Sequence, residues 1–341
     1  MIVRPRAAVL ALPFLTGACN YQHYQSIYGN AAAETQQFNT LFIIFLAVCA
    51  VMYAAVIAFL IAGIGRRRRS AQANVVEDGR HHESNPAMHT GLKAWAAVIG
   101  VGLVGLAIAS FFADRSMASA AANEKLSIDL TGNQWWWDVQ YNSADASKTL
   151  RTANELYLPV GVPVRINLHS NDVIHSFWVP SLAGKQDLIP GRDSDITIVP
   201  KKTGIYRGQC AEYCGTQHAH MALVVNVVSY ADFIKWWDHQ LQPAPAPAAP
   251  LTQAGYKYVT TGPCSACHTI GGTPAGGTVG PDLTHLASRR SIAAGTMPMG
   301  EGNLYGWVED PQSVKPGNHM PTIGLEPAQL HAVVAYLETL K

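Results

Sequence analysis

Residues 210–221 read Cys210-Ala-Glu212-Tyr-Cys214-Gly-Thr-Gln-His218-Ala-His-Met221, and this segment directs the interpretation of the whole chain. It includes the thiols of Cys210 and Cys214, the imidazole of His218 and the thioether of Met221, and an apolar run follows it directly. Soft sulfur ligands with imidazole suit copper, and a weak methionine ligand is typical of electron-transfer copper sites. Because two thiolates four residues apart on one loop can bridge two metal ions, the segment predicts a dinuclear copper site.

Two other interpretations of this segment compete with copper. Zinc would accept two cysteines and a histidine, but a methionine ligand is unusual for zinc. A disulfide between Cys210 and Cys214 is the structural alternative in an exported chain, yet it leaves the histidine and the methionine unexplained. The copper interpretation accounts for all of these side chains.

The surrounding region, from 124 to 228, consists of short strand-like runs. Apolar and polar residues alternate in Val164-Arg-Ile-Asn-Leu168, and turn signals such as Pro190-Gly191 separate the runs. This pattern is typical of an all-β sandwich or barrel. A dinuclear site needs a second imidazole, and His175, at the end of a predicted strand, is the candidate. His169, in the neighbouring strand, is expected to be a packed core residue.

Two apolar segments precede the β-region. Residues 41–65 contain no charge, and the second segment runs from 94 to 112. About 20 apolar residues already cross the ~30 Å hydrocarbon layer. The loop between them carries Arg66-Arg-Arg-Arg69, so the positive-inside rule places it in the cytoplasm and everything after about residue 114 outside. With 24 basic and 23 acidic residues, the chain shows no charge excess that would suggest nucleic-acid binding.

The first residues have the pattern of an export signal. Arg4 and Arg6 precede a short apolar stretch that ends in Thr16-Gly-Ala-Cys19. Small residues before a cysteine suggest lipoprotein processing, which would make Cys19 the lipidated N-terminus. The leucine usual three places before that cysteine is replaced by Thr16, so ordinary cleavage, or no cleavage, stays open.

The last part of the chain begins after a Pro/Ala-rich linker at 242–251, which favours extended polyproline II. Cys264-Ser-Ala-Cys267-His268 is the attachment pattern of c-type haem. Two thiols three residues apart can reach the two vinyl groups of one porphyrin, and the adjacent imidazole then lies beneath the iron. A zinc knuckle would need a second cysteine pair.

The sixth ligand of such a haem should be a methionine about fifty residues further on. Met297, Met299 and Met320 are the candidates. Met320 closes Lys315-Pro-Gly-Asn-His-Met320-Pro321, which resembles the K-P-G-x-x-M-P segment of class I cytochromes c. We therefore expect Met320 to be the ligand, and His/Met ligation raises the potential of haem iron.

Together, these motifs resemble cytochrome c oxidase subunit II with a fused C-terminal cytochrome c domain, as in caa-type haem-copper oxidases. The C-x-E-x-C-G-x-x-H-x-x-M motif is complete, and the spacing to the upstream histidine matches. Gln134-Trp-Trp-Trp137 corresponds to a family motif that usually reads Trp-Tyr-Trp. The resemblance implies a dinuclear copper A centre with the ligands His175, Cys210, Glu212 (through its carbonyl), Cys214, His218 and Met221.

The resemblance also implies further roles for single residues. The Glu212 carboxylate would bind a magnesium ion shared with subunit I, and Trp135 would be the tryptophan through which electrons enter the copper site. Cys264 and Cys267 would carry one covalent haem c, with His268 and Met320 on its iron. The carbonyl of Pro281 would orient His268.

The expected architecture is a membrane-anchored multidomain chain with a two-helix transmembrane hairpin, an all-β cupredoxin barrel and an all-α class I cytochrome c domain. The expected boundaries are 1–19 for the signal peptide, 38–113 for the hairpin (helices at about 40–65 and 94–113), 120–230 for the copper domain and 252–341 for the cytochrome domain.

The resemblance implies that the chain is an electron-transfer subunit of a terminal oxidase. Electrons would pass from a cytochrome c donor through haem c and copper A to subunit I, which reduces oxygen to water and pumps protons. Subunits I and III, membrane lipid and a wider respiratory supercomplex would be its partners. The bacterial inner membrane would hold it, with both soluble domains on the periplasmic side.

Three other functions share some of these features. A quinol oxidase subunit II would lack the copper ligands, and nitrous oxide reductase would need a second, histidine-rich copper domain. A membrane-anchored copper chaperone would need no haem. One departure from the oxidase pattern is Leu92, three residues before Trp95, where a proton-path glutamate is usual. Glu83 is a candidate substitute, or the proton enters elsewhere.

Overall fold

The computed structural model describes residues 25–71, 86–121 and 124–341. The predicted signal peptide with Cys19, and the loop residue Glu83, lie outside the described residues. Two long helices come first, α1 (Ala33–Ala71) and α2 (Pro86–Ala121). Within them, Ala33–Gly65 and His89–Arg115 are long and apolar enough to cross a membrane.

Both helices extend beyond the predicted segments at about 40–65 and 94–113. The prediction followed apolarity, whereas a helix can continue past the hydrocarbon layer through residues such as alanine and arginine, which favour helix. Large apolar side chains along both helices are exposed, including Phe59 at 78% and Val101 at 75%. Such an exposed apolar surface suits contact with lipid.

The first turn of α1 is fixed to the β-domain. The Ala33 N–H donates to the Val199 carbonyl at 3.0 Å, and the Val199 N–H donates to the Glu34 carboxylate at 3.2 Å. The Thr35 hydroxyl donates to the carbonyl of Ser181 at 3.2 Å. The β-domain is therefore held directly at one end of a membrane-spanning helix.

The β-domain consists of two five-stranded sheets within the described residues. The strands are β1 (Leu126–Asn133), β2 (Trp136–Tyr141), β3 (Leu150–Ala153), β4 (Glu155–Pro159), β5 (Val164–Ser170), β6 (His175–Trp178), β7 (Gln186–Leu188), β8 (Ser194–Ile198), β9 (Gly204–Cys210) and β10 (Ala222–Val228). One sheet has the order β3-β2-β1-β5-β8 and the other the order β4-β10-β9-β6-β7. This arrangement confirms the predicted all-β domain.

Alternation along the strands sends one set of side chains into the core between the sheets. On β5, Ile166 and Leu168 are fully buried, while their neighbours are partly exposed. His169 is therefore not a core residue, and that expectation was wrong. Its side chain is 39% exposed and lies 3.3 Å from the Asp193 carboxylate. Because side chains alternate between faces, a residue that follows a buried leucine points outward.

Helix α3 (Tyr230–Gln240) closes one side of the β-domain. Ser229 caps it by accepting a hydrogen bond from the Asp232 N–H at 3.1 Å, which satisfies one of the free N–H groups of the first turn. Phe233 is buried in the β-domain core, and the Trp236 ring stacks on Tyr157 with 4.3 Å between ring centroids. The helix therefore packs on the β-domain and precedes the linker.

The C-terminal domain is helical, as predicted. It contains α4 (Pro250–Thr261), α5 (Glu301–Glu309), α6 (Pro311–Val314) and α7 (Pro327–Leu337). The linker before α4 is not a free spacer, because the Ala244 N–H donates to the Gly271 carbonyl at 2.9 Å and the Gln242 carbonyl lies 3.2 Å from His285 Nε2. The linker therefore runs against the domain that it introduces.

Candidate functional site

Strand pairing brings the predicted metal ligands together. His175 opens β6, Cys210 ends β9, and these neighbouring strands are antiparallel. Cys214 and His218 follow in the loop between β9 and β10. The two Sγ atoms lie 3.8 Å apart, so the thiols are not bonded to each other. Nδ1 of His175 is 3.9 Å from Cys210 Sγ, and Nδ1 of His218 is 3.6 Å from Cys214 Sγ.

Two weaker donors complete the cluster. Met221 is fully buried, and its Sδ lies 3.9 Å from Cys214 Sγ. The Glu212 carbonyl oxygen lies 3.1 Å from Cys210 Sγ. The structure therefore gathers all six predicted donor atoms around one pair of sulfurs. The Glu212 side chain points elsewhere, toward solvent, and its carboxylate lies 3.3 Å from Lys185 Nζ.

The two thiols ionise as a pair. The hydrogen bond with Cys214 lowers the pKa of the Cys210 thiol, with further contributions from His175 and from the backbone at Glu212 and Ser176, against the opposing effect of burial. The same hydrogen bond and burial raise the pKa of Cys214, and a second negative charge beside the first would raise it further. Cys210 therefore ionises more readily than Cys214, and a bound cation would favour ionisation of both.

This donor set fits copper. His175, Cys210 and Cys214 are buried and offer ligand atoms within 4.8 Å of one another. Two thiolates, two imidazoles, a thioether and a carbonyl combine soft and borderline ligands, a set that favours copper over hard cations. The residues present are thus suited to a dinuclear copper centre.

Asp172 orients His175, a role that the sequence analysis missed. Its Oδ1 lies 2.7 Å from His175 Nε2, and its Oδ2 accepts a hydrogen bond from the Gln134 N–H at 2.6 Å. Burial lowers the pKa of His175, but the hydrogen bonds with Cys210 and Asp172 outweigh this effect and raise it. An acidic residue three places before a candidate histidine was the available signal.

Replacing Asp172 with asparagine should weaken metal binding by about 10–100-fold, the usual effect of losing a carboxylate that orients a ligand histidine. Competition with a copper chelator measures the affinity. Asp193→Asn is the matched control, because it breaks a similar carboxylate–imidazole contact with His169 on the exposed face. Equal chelator resistance in the Asp172 variant and the wild-type chain would contradict the prediction.

Trp135 lies against the metal loop. Its indole N–H donates to the Cys214 carbonyl at 2.9 Å, and the Gln134 side-chain amide donates to the same oxygen at 2.7 Å. Gly215 makes this approach possible, because its φ is +115° and a Cβ there would lie 2.9 Å from the indole ring. Trp137, by contrast, is fully buried in the β-domain core.

The second candidate site is a cavity in the cytochrome domain. Cys264, Cys267, His268 and Met320 all line it, whereas Met297 and Met299 are absent from its lining among the described residues. His268 Nδ1 lies 2.7 Å from the Pro281 carbonyl, the predicted contact. With Nδ1–H donating to that carbonyl, Nε2 keeps a lone pair for iron.

The lining of this cavity fits a haem. Apolar side chains form most of its walls, including Leu283, Leu286, Ile292 and Leu304. Arg289 also lines it and is buried; its Nε atom has no hydrogen-bond partner among the described residues, although Glu155 Oε1 lies 3.9 Å away. A haem carries two carboxylates, and a buried guanidinium suits such an anion.

The copper domain supplies part of the cavity wall. Gln134, Trp135, Trp136 and Asn154 line it together with the cytochrome residues. Trp135 therefore touches both candidate sites, since its indole also bonds to Cys214. Lys315, a residue the sequence analysis cited only as part of a motif, joins the two domains beside it. Burial lowers the pKa of Lys315 to about 7.

Comparison with known families agrees with both sites. Residues 142–228 match the family described as cytochrome C oxidase subunit II, periplasmic domain, and residues 252–341 match the cytochrome c family. Cytochrome c oxidase subunit 2 of Alkalihalophilus pseudofirmus is 32% identical over 253 residues, which are 72% of this chain and 72% of that protein.

Other relatives and one solved structure are similar over smaller parts. Cytochrome c oxidase subunit 2 of Bacillus sp. (strain PS3) is 33% identical over 63% of this chain and 62% of that protein. The crystal structure of the periplasmic domain of subunit II of cytochrome oxidase from Bradyrhizobium japonicum is 31% identical. The matched region is 34% of this chain and 94% of the crystallised chain, with a TM-score of 0.32.

The fold and the two sites define a membrane-anchored electron-transfer protein of the haem-copper oxidase class, in which a copper domain and a cytochrome c domain share one chain. The chain belongs to the cytochrome c oxidase subunit 2 family. These matches imply a copper A centre in the first domain and a haem in the second.

Proposed function

We propose that this chain takes electrons from a cytochrome c donor at its haem domain and passes them through dinuclear copper A to subunit I. There oxygen is reduced to water, coupled to proton pumping. The copper pair and the haem supply reversible one-electron redox chemistry when bound. The observation that carries the proposal is that Trp135 contacts Cys214 and lines the haem cavity at once.

The residues of this chain would hold the two centres as follows. The six donors described above would hold the copper pair, with His175, Cys210, Cys214 and Met221 buried in the β-domain. We also propose the family role of Glu212 at a magnesium ion. Its carboxylate lies at the surface beside the Lys185 ammonium, and a magnesium ion could take the place of that ammonium. His268 and Met320 bind iron, and Cys264 and Cys267 form the thioethers.

The remaining expectations concern organisation. The proposed boundaries are 38–113 for the hairpin, 120–230 for the copper domain and 252–341 for the cytochrome domain. The four-arginine block that follows the first apolar segment supports a cytoplasmic loop and periplasmic domains in a bacterial inner membrane. Contacts with subunits I and III and with a soluble donor complete the proposal.

Metal and haem analysis of the purified oxidase tests the proposed function directly. We expect two copper ions in this subunit and one haem that remains attached to it after denaturation. Near-infrared absorption should report the mixed-valence copper pair. A preparation with intact subunit but without copper in this domain would remove the basis of the proposal.

Met320→Ala tests the assignment of the sixth haem ligand. Loss of the thioether should abolish the sulfur-to-iron charge-transfer band of the oxidised haem and lower its potential, because His/Met ligation raises it. Visible spectroscopy and redox titration measure both changes. Met299→Ala is the control, since Met299 packs in the helical core away from the cavity lining. An unchanged band in the Met320 variant would reject the assignment.

A further inference from the structure

The cytochrome domain covers the surface of the copper domain over the metal loop. The Ala222 N–H, directly after Met221, donates to the carbonyl of Ala294 at 2.9 Å. The Gln217 side-chain amide, directly before His218, donates to the Pro316 carbonyl at 2.8 Å. The residue before His218 and the residue after Met221 are therefore both hydrogen-bonded to the cytochrome domain.

Lys315 is the most deeply buried charged side chain at this contact, with 2% of its surface exposed. Its Nζ donates to the Trp135 carbonyl at 2.7 Å and to the Ala293 carbonyl at 3.1 Å. An ammonium or a neutral amine offers enough N–H donors for both acceptors, so the contact does not depend on its protonation state. A buried polar group of this kind is costly unless it is hydrogen-bonded.

Trp135 is consequently held from two sides. Lys315 binds its backbone carbonyl from the cytochrome domain, and the Cys214 carbonyl accepts from its indole N–H within the copper domain. Gly317 of the cytochrome domain lies beside the indole ring, where an added Cβ would be 3.8 Å away, in ordinary van der Waals contact. The ring thus spans the boundary between the two candidate sites.

The backbone of the cytochrome domain is shaped for this contact. Ala293 and Ala294 have φ values of +52° and +56°, a left-handed conformation that is uncommon outside glycine. Such conformations persist where the surroundings hold them in place. Here the two alanine carbonyls accept from Lys315 and from the Ala222 N–H.

We propose that Lys315 is a positioning residue that holds Trp135 between the haem cavity and Cys214, and so sets the rate at which electrons pass from the cytochrome domain to the copper domain. This inference rests on the function proposed above. Electron tunnelling falls steeply with separation, and small misplacements of a positioned group cost large factors in rate. Lys315 acts through Trp135 rather than by binding either centre.

Lys315→Met in the intact oxidase tests this role. The substitution keeps an unbranched side chain that is only one atom shorter and removes the N–H donors, so the Trp135 carbonyl loses its partner. We expect electron transfer from haem c to copper A, followed after rapid mixing or flash reduction, to slow by about tenfold or more. The KM for the external donor should stay unchanged while kcat falls, because Lys315 is buried at the contact between the two domains and is not exposed to an external donor.

Hydrogen exchange provides a readout that is independent of turnover. In the Lys315 variant, amide exchange should accelerate in the segment 134–137, while copper content, haem content and exchange in the β-strands outside this segment remain as in the wild type. Full retention of both centres would show that the domains still fold.

Two further variants distinguish the positioning of Trp135 by Lys315 from the general docking of the cytochrome domain on the copper domain. Glu155→Gln weakens a different contact between the domains, the buried pair in which Glu155 Oε1 lies 3.9 Å from Arg289 Nε. It should loosen exchange near Arg289 and affect the electron-transfer rate less than Lys315→Met does. Lys235→Met removes an exposed ion pair on α3 and should change nothing.

An electron-transfer rate in Lys315→Met equal to that of the wild type would overturn the inference. Equal slowing in the Lys315 and Glu155 variants would also overturn it, because docking alone would then explain the effect. Failure of the proposed function has a different signature, since copper or covalent haem would then be absent from the wild-type subunit itself.

Discussion

The substitution Cys214→Ser should abolish electron transfer through this subunit. A hydroxyl is a harder and far less acidic ligand than a thiol, so the pair of sulfurs around which the other donor atoms lie, and which would hold the copper ions, would be lost. Losing a partner that only orients a ligand already costs about 10–100-fold in affinity, and loss of a ligand itself should exceed that. We expect turnover to fall by more than about a hundredfold.

Copper analysis and near-infrared spectroscopy of the purified variant measure this effect, together with oxygen consumption. The control is Cys49→Ser, which changes a free cysteine on the exposed face of α1, far from the metal loop in the sequence. It should retain copper and turnover. If the Cys214 variant kept two coppers and full turnover, the bridging role of this thiol would be disproved.

The substitution Gly255→Val should unfold the cytochrome domain or prevent haem attachment. Helices α4 and α7 cross at this glycine, where a Cβ would lie 1.9 Å from the Ala332 carbonyl oxygen and 2.8 Å from Tyr336 Cβ. Backbone atoms cannot move aside as a flexible side chain does, so the two helices would have to separate. We expect a loss of about 3 kcal/mol or more in the free energy of unfolding.

For a domain of this size, a loss of that magnitude lowers Tm by about 12 °C or more. Thermal denaturation followed by haem absorption measures the change, and covalent haem content reports failure to mature. Gly302→Val is the matched control on α5, where a Cβ would meet nothing within 4 Å. A Gly255 variant with wild-type Tm and haem content would show that the helices adapt to the added side chain.

The parts of the molecule that the sequence predicted well depend on short-range patterns. The donors from Cys210 to Met221 lie in one loop, and the haem thiols lie three residues apart, so spacing alone places them together. Strand alternation indicated the β-domain, and uninterrupted apolarity indicated the membrane helices. The prediction for His169 was wrong because it considered only the apolar residues around this histidine. It ignored that His169 follows the inward-facing Leu168 on a strand.

Contacts between distant residues required the tertiary structure. Asp172 was visible beside His175 in the sequence, but its second bond, to the Gln134 N–H, depends on how a loop and a strand end meet. Lys315 lies 180 residues from Trp135 along the chain, and no periodic pattern links them. The linker also proved to be attached to the cytochrome domain, which its proline content did not indicate.

The amino-acid sequence by itself therefore determined the chemistry of this protein: which atoms can bind copper, which can attach haem, and which segments can enter a membrane. Only the folded chain decided how the metal loop and the haem cavity lie relative to each other, with Trp135 in contact with both and Lys315 bonded to its carbonyl. The physical reason is that ligand spacing and apolar periodicity are local properties of a chain. The docking of two separately packed domains depends instead on surfaces assembled from many distant segments.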